Sequence, residues 1–279
     1  MKFGFSFSPG GLLLPYHVGV MTSLSERGYI TDSTPLAGSS AGAIAVAAQG
    51  VGIDAQSVVE STIRINKKCE EMGGASGRLL PLLNEELNHI LPSDAHQIVN
   101  EREGFIGLAF KEFFPQEKNV LQSSFVSRDD FIEAVCNSSM FPFFSTNWPF
   151  ILRISDFSLG IFKDESEKGF SNLSSFLPRV VVDGYFTVPR DRFGCPEFSS
   201  YCEVERTITV SVFPHESIGL TASEKADRIS TQIPKEDQGQ QLSTLFKRAT
   251  KVSTEEVVCE MYEEGFADAV RWIKEEETK

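Results

Sequence analysis

Gly38-Ser39-Ser40-Ala41-Gly42 is the one G-x-S-x-G stretch in the chain. A serine so placed can act as a nucleophile, because small neighbours permit a strained strand-to-helix turn that lifts the hydroxyl clear of a sheet. Gly38 and Gly42 leave room for that turn, Ser39 completes it, and Ala41 lets the following helix pack close. The helix N-terminus then aims backbone N–H groups at negative charge developing on a substrate. A second glycine turn, Gly10-Gly11, follows a short apolar run and offers donors for an oxyanion hole. Neither turn reads as a phosphate loop, since no G-x-G-x-x-G is present and no Gly-Lys-Ser/Thr follows.

A serine hydroxyl needs a base. Val180-Val181-Val182-Asp183-Gly184 places Asp183 at the end of an apolar strand, where functional groups collect in open α/β sheets. An ordinary Asp-Gly turn is the other reading of the same residues. His215 is the rival base, because Ser40, Asp183 and His215 follow one another in the order of a Ser-Asp-His hydrolase. Against the triad, the elbow arrives after a single strand–helix unit, earlier than that fold builds it. His17 lies on an apolar helix and reads as core or rim. His89 and Asp94 match an H-x-x-x-x-D acyltransferase pattern, a spacing that chance supplies readily.

The elements that must position these residues are legible in the periodicity. A strand over 3–7 leads through the glycine turn to an apolar helix over 13–27, which Gly28 ends. A strand near 34–37 runs to the elbow, and a small-residue helix continues over 43–48. Strand, turn, helix repeated in this way predicts a parallel sheet with helices packed on its faces. Residues 53–72 and 79–91 read as helices, 103–126 as strand–turn–strand, and 179–183 and 206–213 as strands. Ser127 reads as the N-cap of a helix that stops before Pro142. Ser253-Thr254-Glu255-Glu256 forms a capping box ahead of an apolar stripe of Val257, Val258, Met261, Tyr262, Phe266, Ala269, Val270 and Ile273. Residues 151–178 read as an insertion whose Phe157, Phe162, Phe170 and Phe176 either cover or rim the site and touch lipid, or fill a satellite core. The polar tract 219–251 reads as mobile.

The chain has 279 residues, of which 41% are hydrophobic, enough for a single α/β domain over 1–279. Its net charge of −13 argues against nucleic acid as the main partner and weakens the case for simple electrostatic adhesion to anionic membranes. Any membrane contact must be apolar or local. Five cysteines without CxxC spacing, beside four histidines, argue against both a disulfide framework and a zinc cluster, and for a reducing compartment. Pro9-Gly10-Gly11 break the N-terminal apolar region early, and no small-x-small cleavage site follows, so a signal peptide is not expected. No apolar run reaches the ~18 residues of a bilayer span. An intracellular protein, cytosolic or peripheral on a membrane, is the expectation.

The ordered series FSFSPGGLLLPYHVGV, GSSAG, LPSDAH at 91–96, SRDDFIEAVCNSSMFPFF at 127–144, VVVDG and TITVSVFP resembles the patatin-like phospholipase family. The likeness is greatest to its adiponutrin and adipose triglyceride lipase branch, and covers most of residues 1–275. The resemblance implies a three-layer α/β/α sandwich with a mostly parallel central sheet, and hydrolysis of glycerolipid acyl esters by a Ser–Asp dyad without histidine, metal or other cofactor. Ser40 would be the nucleophile, Asp183 the base, and Gly10 and Gly11 the oxyanion hole. The substrate would be a triacylglycerol or phospholipid at a membrane or lipid-droplet surface, with room for a protein co-activator. Pro9 and Leu14 stand where that branch carries a more glycine-rich loop, and Tyr185 where the family usually has a small residue. Pro9 and Tyr185 are what the alternative reading rests on, a weakly active or inactive lipase-like scaffold that binds lipid or protein.

Overall fold

The computed structural model describes residues 2–153, 178–232 and 238–279. The insertion read over 151–178, with its four phenylalanines, falls outside them except at its ends. The first strand, β1 (Phe3–Phe7), shows how the sheet is organised. Alternation sends Phe5 and Phe7 to one face, fully buried, and turns Ser6 to the other, where its hydroxyl donates to Pro196 O at 2.8 Å. A 3-10 turn over Gly11–Leu13 leads into α1 (Leu14–Glu26), and Gly28, at φ 74°, ends that helix in the left-handed conformation. Then come β2 (Leu36–Ser39), α2 (Ala41–Gly50), α3 (Ala55–Glu71), α4 (Leu79–Ile90) and α5 (Ala95–Glu101). The chain continues through β3 (Ile106–Phe114), β4 (Lys118–Gln122), α6 (Arg128–Ser138), β5 (Ile151–Arg153) and β6 (Arg179–Val182). It finishes with β7 (Arg206–Ser211), α7 (His215–Ile218), β8 (Arg228–Ser230), α8 (Gln238–Thr250) and α9 (Glu255–Glu277).

Local chemistry starts several helices where the sequence indicates. Ser127 caps α6 by accepting from Asp130 N at 3.1 Å. Asp54 caps α3 in the same way through Ser57 N at 2.9 Å. At α9 the expected box is shifted: Thr254, not Ser253, is the N-cap, and it makes no capping bond to the backbone. β2 also begins two residues later than expected and so runs directly into the elbow. The tract 219–251 is not simply a mobile stretch. It contains β8, which pairs in parallel with β7, and α8. Its polar surface pattern hid elements that are held by one buried edge each.

β3, β2, β1, β7 and β8 are parallel neighbours, while β4 and β6 pair antiparallel with β3 and β5 with β6. One detail of register governs the site. β2 pairs with residues 106–109 of β3, β6 pairs with residues 111–114, and β4 pairs with residues 108–112. Because β4 overlaps both, it occupies one edge of β3, and β2 and β6 lie end to end along the other. The carboxyl ends of β2 and β6 therefore meet.

The face bearing Phe5 and Phe7 is covered by α1, α2 and α9. Phe5 meets the edge of Trp272 at 6.2 Å and Phe7 that of His17 at 5.5 Å. α1 and α9 approach so closely that a β-carbon on Gly19 or Gly265 would run into the carbonyl oxygen of Tyr262 or Tyr16. Tyr16 seals this crossing by donating to Asp268 Oδ2 at 2.7 Å. The Ser6 face is covered by the segment between β6 and β7, where Phe198 stacks on Phe105 at 6.1 Å, and by α7. The result is an α/β/α arrangement with one thick helical layer and one thin one. The five cysteines are all unpaired. Among the described residues, no helix is long and apolar enough to cross a membrane.

Candidate active site

Ser40 sits between β2 and α2 at φ 54° and ψ −122°, a conformation that a non-glycine residue avoids. Holding it costs roughly 1–3 kcal/mol, which the surrounding fold must supply. The elbow glycines have steric reasons. A β-carbon on Gly38 would strike the backbone of Gly42, and one on Gly42 would strike the carbonyls of Phe7 and Ser8 on the neighbouring strand. The turn is thus pressed against itself and against β1, which leaves the Ser40 side chain as the group directed outward; the residue is 8% exposed.

Asp183 follows β6 and is fully buried. The end-to-end placement of β2 and β6 brings it to Ser40. Gly184 makes this approach possible, since a β-carbon there would collide with Ala109 O and the Ser39 side chain. Asp183 Oδ1 accepts from Tyr185 N at 2.8 Å. Oδ2 has no hydrogen bond of strict geometry, yet the Ser40 hydroxyl is near enough to favour the charged carboxylate. Burial dominates and pushes the carboxyl up to about 7, against the smaller opposite pulls of Tyr185 N–H and Ser40. A carboxylate poised there can accept a proton at neutral pH and return it.

The turn after α6 holds both residues. Ser40 N–H donates to Ser138 Oγ at 3.0 Å, and Asp183 N–H donates to Met140 O at 2.8 Å. Residue types gave no hint of this, because a serine hydroxyl and a backbone carbonyl have no signature at a distance in sequence. The engagement of Ser40 N–H also removes it as an oxyanion donor. Gly10 and Gly11 are free for that task, as their N–H groups donate to no protein acceptor among the described residues. Gly11, at φ 56°, has its α-carbon packed against Ala249 O, which excludes a side chain. Beneath the turn, His17 Nε2 donates to Ser8 O at 2.8 Å, and burial lowers its pKa to about 4. His17 is a neutral prop.

Ser40, Gly10 and Gly11 border a cavity of about 500 Å³. Its lining includes Ile44 of α2, Ile65 of α3 and Leu83 of α4. An aromatic wall closes one side, with Tyr185 and Phe193 at 5.6 Å, Phe193 and Phe213 at 5.8 Å, and Phe213 and Phe246 at 4.9 Å between ring centres. Tyr185 therefore lines the cavity. The α8 residues Phe246 and Ala249, from the tract read as mobile, line it too.

His215 is elsewhere. Its ring is buried 3.5 Å from Thr209 Oγ1, and it does not line the cavity. Thr209 is the register partner of Ser6, so both belong to the thin-layer face of the sheet. His89 and Asp94 are exposed and also absent from the cavity lining. Among the described residues, no three His, Cys, Asp or Glu side chains converge as metal ligands.

No protein-family model matches the chain. Human 1-acylglycerol-3-phosphate O-acyltransferase PNPLA3 is 31% identical over 146 residues, covering 50% of this chain and 30% of that protein. Mouse patatin-like phospholipase domain-containing protein 2 is 29% identical over 147 residues, covering 50% of this chain and 29% of that protein. These matches span about a third of the length of the relatives. Among solved structures, VipD from Legionella pneumophila aligns with 98% of this chain and 67% of its own, at 12% identity and a TM-score of 0.47, too loosely to inform the chemistry. The sequence relatives agree with the ordered series of motifs in likening this chain to the patatin-like phospholipase family and its adiponutrin branch.

Proposed function

We propose that the chain is a serine lipid acyl hydrolase that cleaves fatty-acyl esters of glycerolipids through Ser40 and Asp183. The observation that carries this reading is a serine on a left-handed elbow, beside a buried carboxylate, at the edge of an apolar cavity. Ser40 Oγ attacks the ester carbonyl while Asp183 takes its proton. Gly10 and Gly11 N–H groups stabilise the oxyanion, where each well-aimed donor is worth about 10²–10³ in rate. Asp183 then protonates the departing alcohol, which leaves an acyl-Ser40 ester. Water repeats the sequence: Asp183 removes its proton, the acyl group leaves as a fatty acid, and Ser40 regains its hydrogen. The acyl chain fits the apolar cavity, which would not hold a charged substrate group without a partner. This path needs no histidine. A fluorophosphonate probe tests it: wild type should be labelled and Ser40→Ala should not, whereas equal labelling of both removes Ser40 from the mechanism.

The names of two relatives favour a second outcome for the same acyl-enzyme, since both are 1-acylglycerol-3-phosphate O-acyltransferases. A lysophospholipid hydroxyl in place of water would give acyl transfer. Supplying 1-acylglycerol-3-phosphate with an acyl donor and measuring diacyl product against free fatty acid separates the two.

A further inference from the structure

The loop between α6 and β5 presents Phe143 and Trp148 outward, 64% and 72% exposed. Water disfavours both placements, and the backbone adds a cost, because Phe143 is held at φ 61°. The loop is nevertheless firmly built. Phe143 N–H donates to Trp148 O at 3.1 Å, Gly77 N–H to Phe144 O at 2.7 Å, and Leu80 N–H to Ser145 O at 2.9 Å. Two further side chains of the loop, Phe141, itself 39% exposed, and Phe144, line the cavity at Ser40. Phe141 also stacks on Phe186 at 5.7 Å. Phe186 in turn helps to wall a groove of about 400 Å³ with Phe113, Pro142, Pro149 and Phe150, all apolar. Apolar surface thus runs from that groove, across Phe141, into the cavity.

We infer that this face docks on a phospholipid surface of zwitterionic headgroups, with Phe143 and Trp148 as the inserted side chains. Continuity with the cavity argues for lipid, because an acyl chain leaving the lipid phase would pass along apolar wall and meet no bulk water. Residue type argues for the interface, since tryptophan prefers the headgroup level. The net charge of −13 argues against an anionic surface, so that insertion rather than attraction must hold the protein there. The inference rests on the hydrolase reading for its purpose.

The test does not rest on that reading, because binding is measured on full-length Ser40→Ala with vesicles of phosphatidylcholine. Trp148 is its own probe: the other tryptophan, Trp272, is 4% exposed and contributes a constant background. Emission should shift to shorter wavelength on adding vesicles and be quenched by brominated acyl chains. Phe143→Asn with Trp148→Ser, read by co-sedimentation with the vesicles, should weaken partitioning by roughly tenfold or more, by loss of two inserted aromatic groups. Asparagine tolerates the left-handed backbone, so this pair tests surface rather than fold. The same pair in an enzyme with Ser40 intact should leave hydrolysis of a soluble short-chain ester within about threefold, as neither side chain lines the cavity. Unchanged partitioning of the double variant would overturn the inference. So would binding that strengthens with phosphatidylserine, or a wild-type emission that ignores vesicles, which would assign the face to a protein partner. If the double variant unfolds, the brominated-lipid quench of the unsubstituted chain decides by itself.

Discussion

Asp183 and His215 are both buried titratable groups just beyond the carboxyl end of a strand, and burial drives them in opposite directions. The Asp183 carboxyl is pushed up to about 7; the His215 imidazole is pushed down to about 3, with Arg228 adding to the effect of burial. Both shifts favour the neutral form. Only the carboxyl ends with a proton affinity suited to shuttling at neutral pH. The larger difference is what each group opens onto. Asp183 presents a carboxylate to Ser40 at a cavity, whereas His215 meets Thr209 on the opposite face of the sheet. Burial alone does not mark a candidate base; burial beside a hydroxyl and a cavity does.

The sharpest way to break this comparison is to remove each group. Ser40→Ala and Asp183→Asn should each lower kcat by about 10³-fold or more, while His215→Ala stays within about tenfold. Steady-state turnover of a soluble ester checks all three. A folded His215→Ala that is as inactive as Ser40→Ala would replace the dyad with a triad.

Next in size is the pH dependence. In the proposed mechanism Asp183 acts deprotonated, so kcat/KM should fall about tenfold per pH unit below 7 and level off above it. A profile flat from pH 5 to 8 would place the base elsewhere.

Stability should separate the same two residues. Between about 4 and 7 the native state holds a proton on Asp183 that the unfolded chain releases, so stability falls as pH rises across that window. Asp183→Asn should remove that loss and stabilise the protein at pH 8 by a few kcal/mol, with little effect at pH 4. For His215 the sign reverses: the unfolded chain binds the extra proton, so stability falls as pH drops from about 6.5 toward 3. His215→Gln should flatten that acid limb. Urea unfolding at several pH values reads both, and parallel slopes for the two variants would contradict the opposite shifts.

The smallest effect sharpens the positioning of Ser40. Ser138→Ala removes the acceptor of Ser40 N–H and leaves that donor buried, at a cost of about 1–3 kcal/mol. Turnover should fall by roughly tenfold with KM nearly unchanged, because the hydroxyl loses orientation and not substrate contacts. A change in KM alone would show that Ser138 shapes the cavity instead.

How far the site can be read in the sequence depends on how local its constraints are. Gly38 and Gly42 announce the elbow because the clash they avoid lies within five residues and one neighbouring strand. Gly28 and Ser127 mark helix ends for the same reason. Asp183 is legible only as an aspartate before a glycine at a strand end, and nothing nearby distinguishes it from a turn. In α9 the apolar stripe is visible, but Gly265 and Asp268 are not part of it; their burial comes from the close crossing with α1. α8 was hidden because its largely polar sequence gives no sign that Phe246 and Ala249 face a cavity.

The sequence by itself determined the strand–elbow–helix unit, the parallel start of the sheet and the acidic balance of the chain. Those features follow from periodicity, turn sterics and net charge, which act over a few residues or over the whole chain at once. Tertiary structure decided which titratable side chain faces Ser40. It did so through the register of β3, along which β2 and β6 meet end to end, and through the turn at Ser138 and Met140 that grips both. It also decided that Tyr185 walls the cavity and that Phe143 and Trp148 face outward. Pairing between distant strands and the burial of a side chain are properties of the packed chain, and residue order does not express them until the sheet has formed.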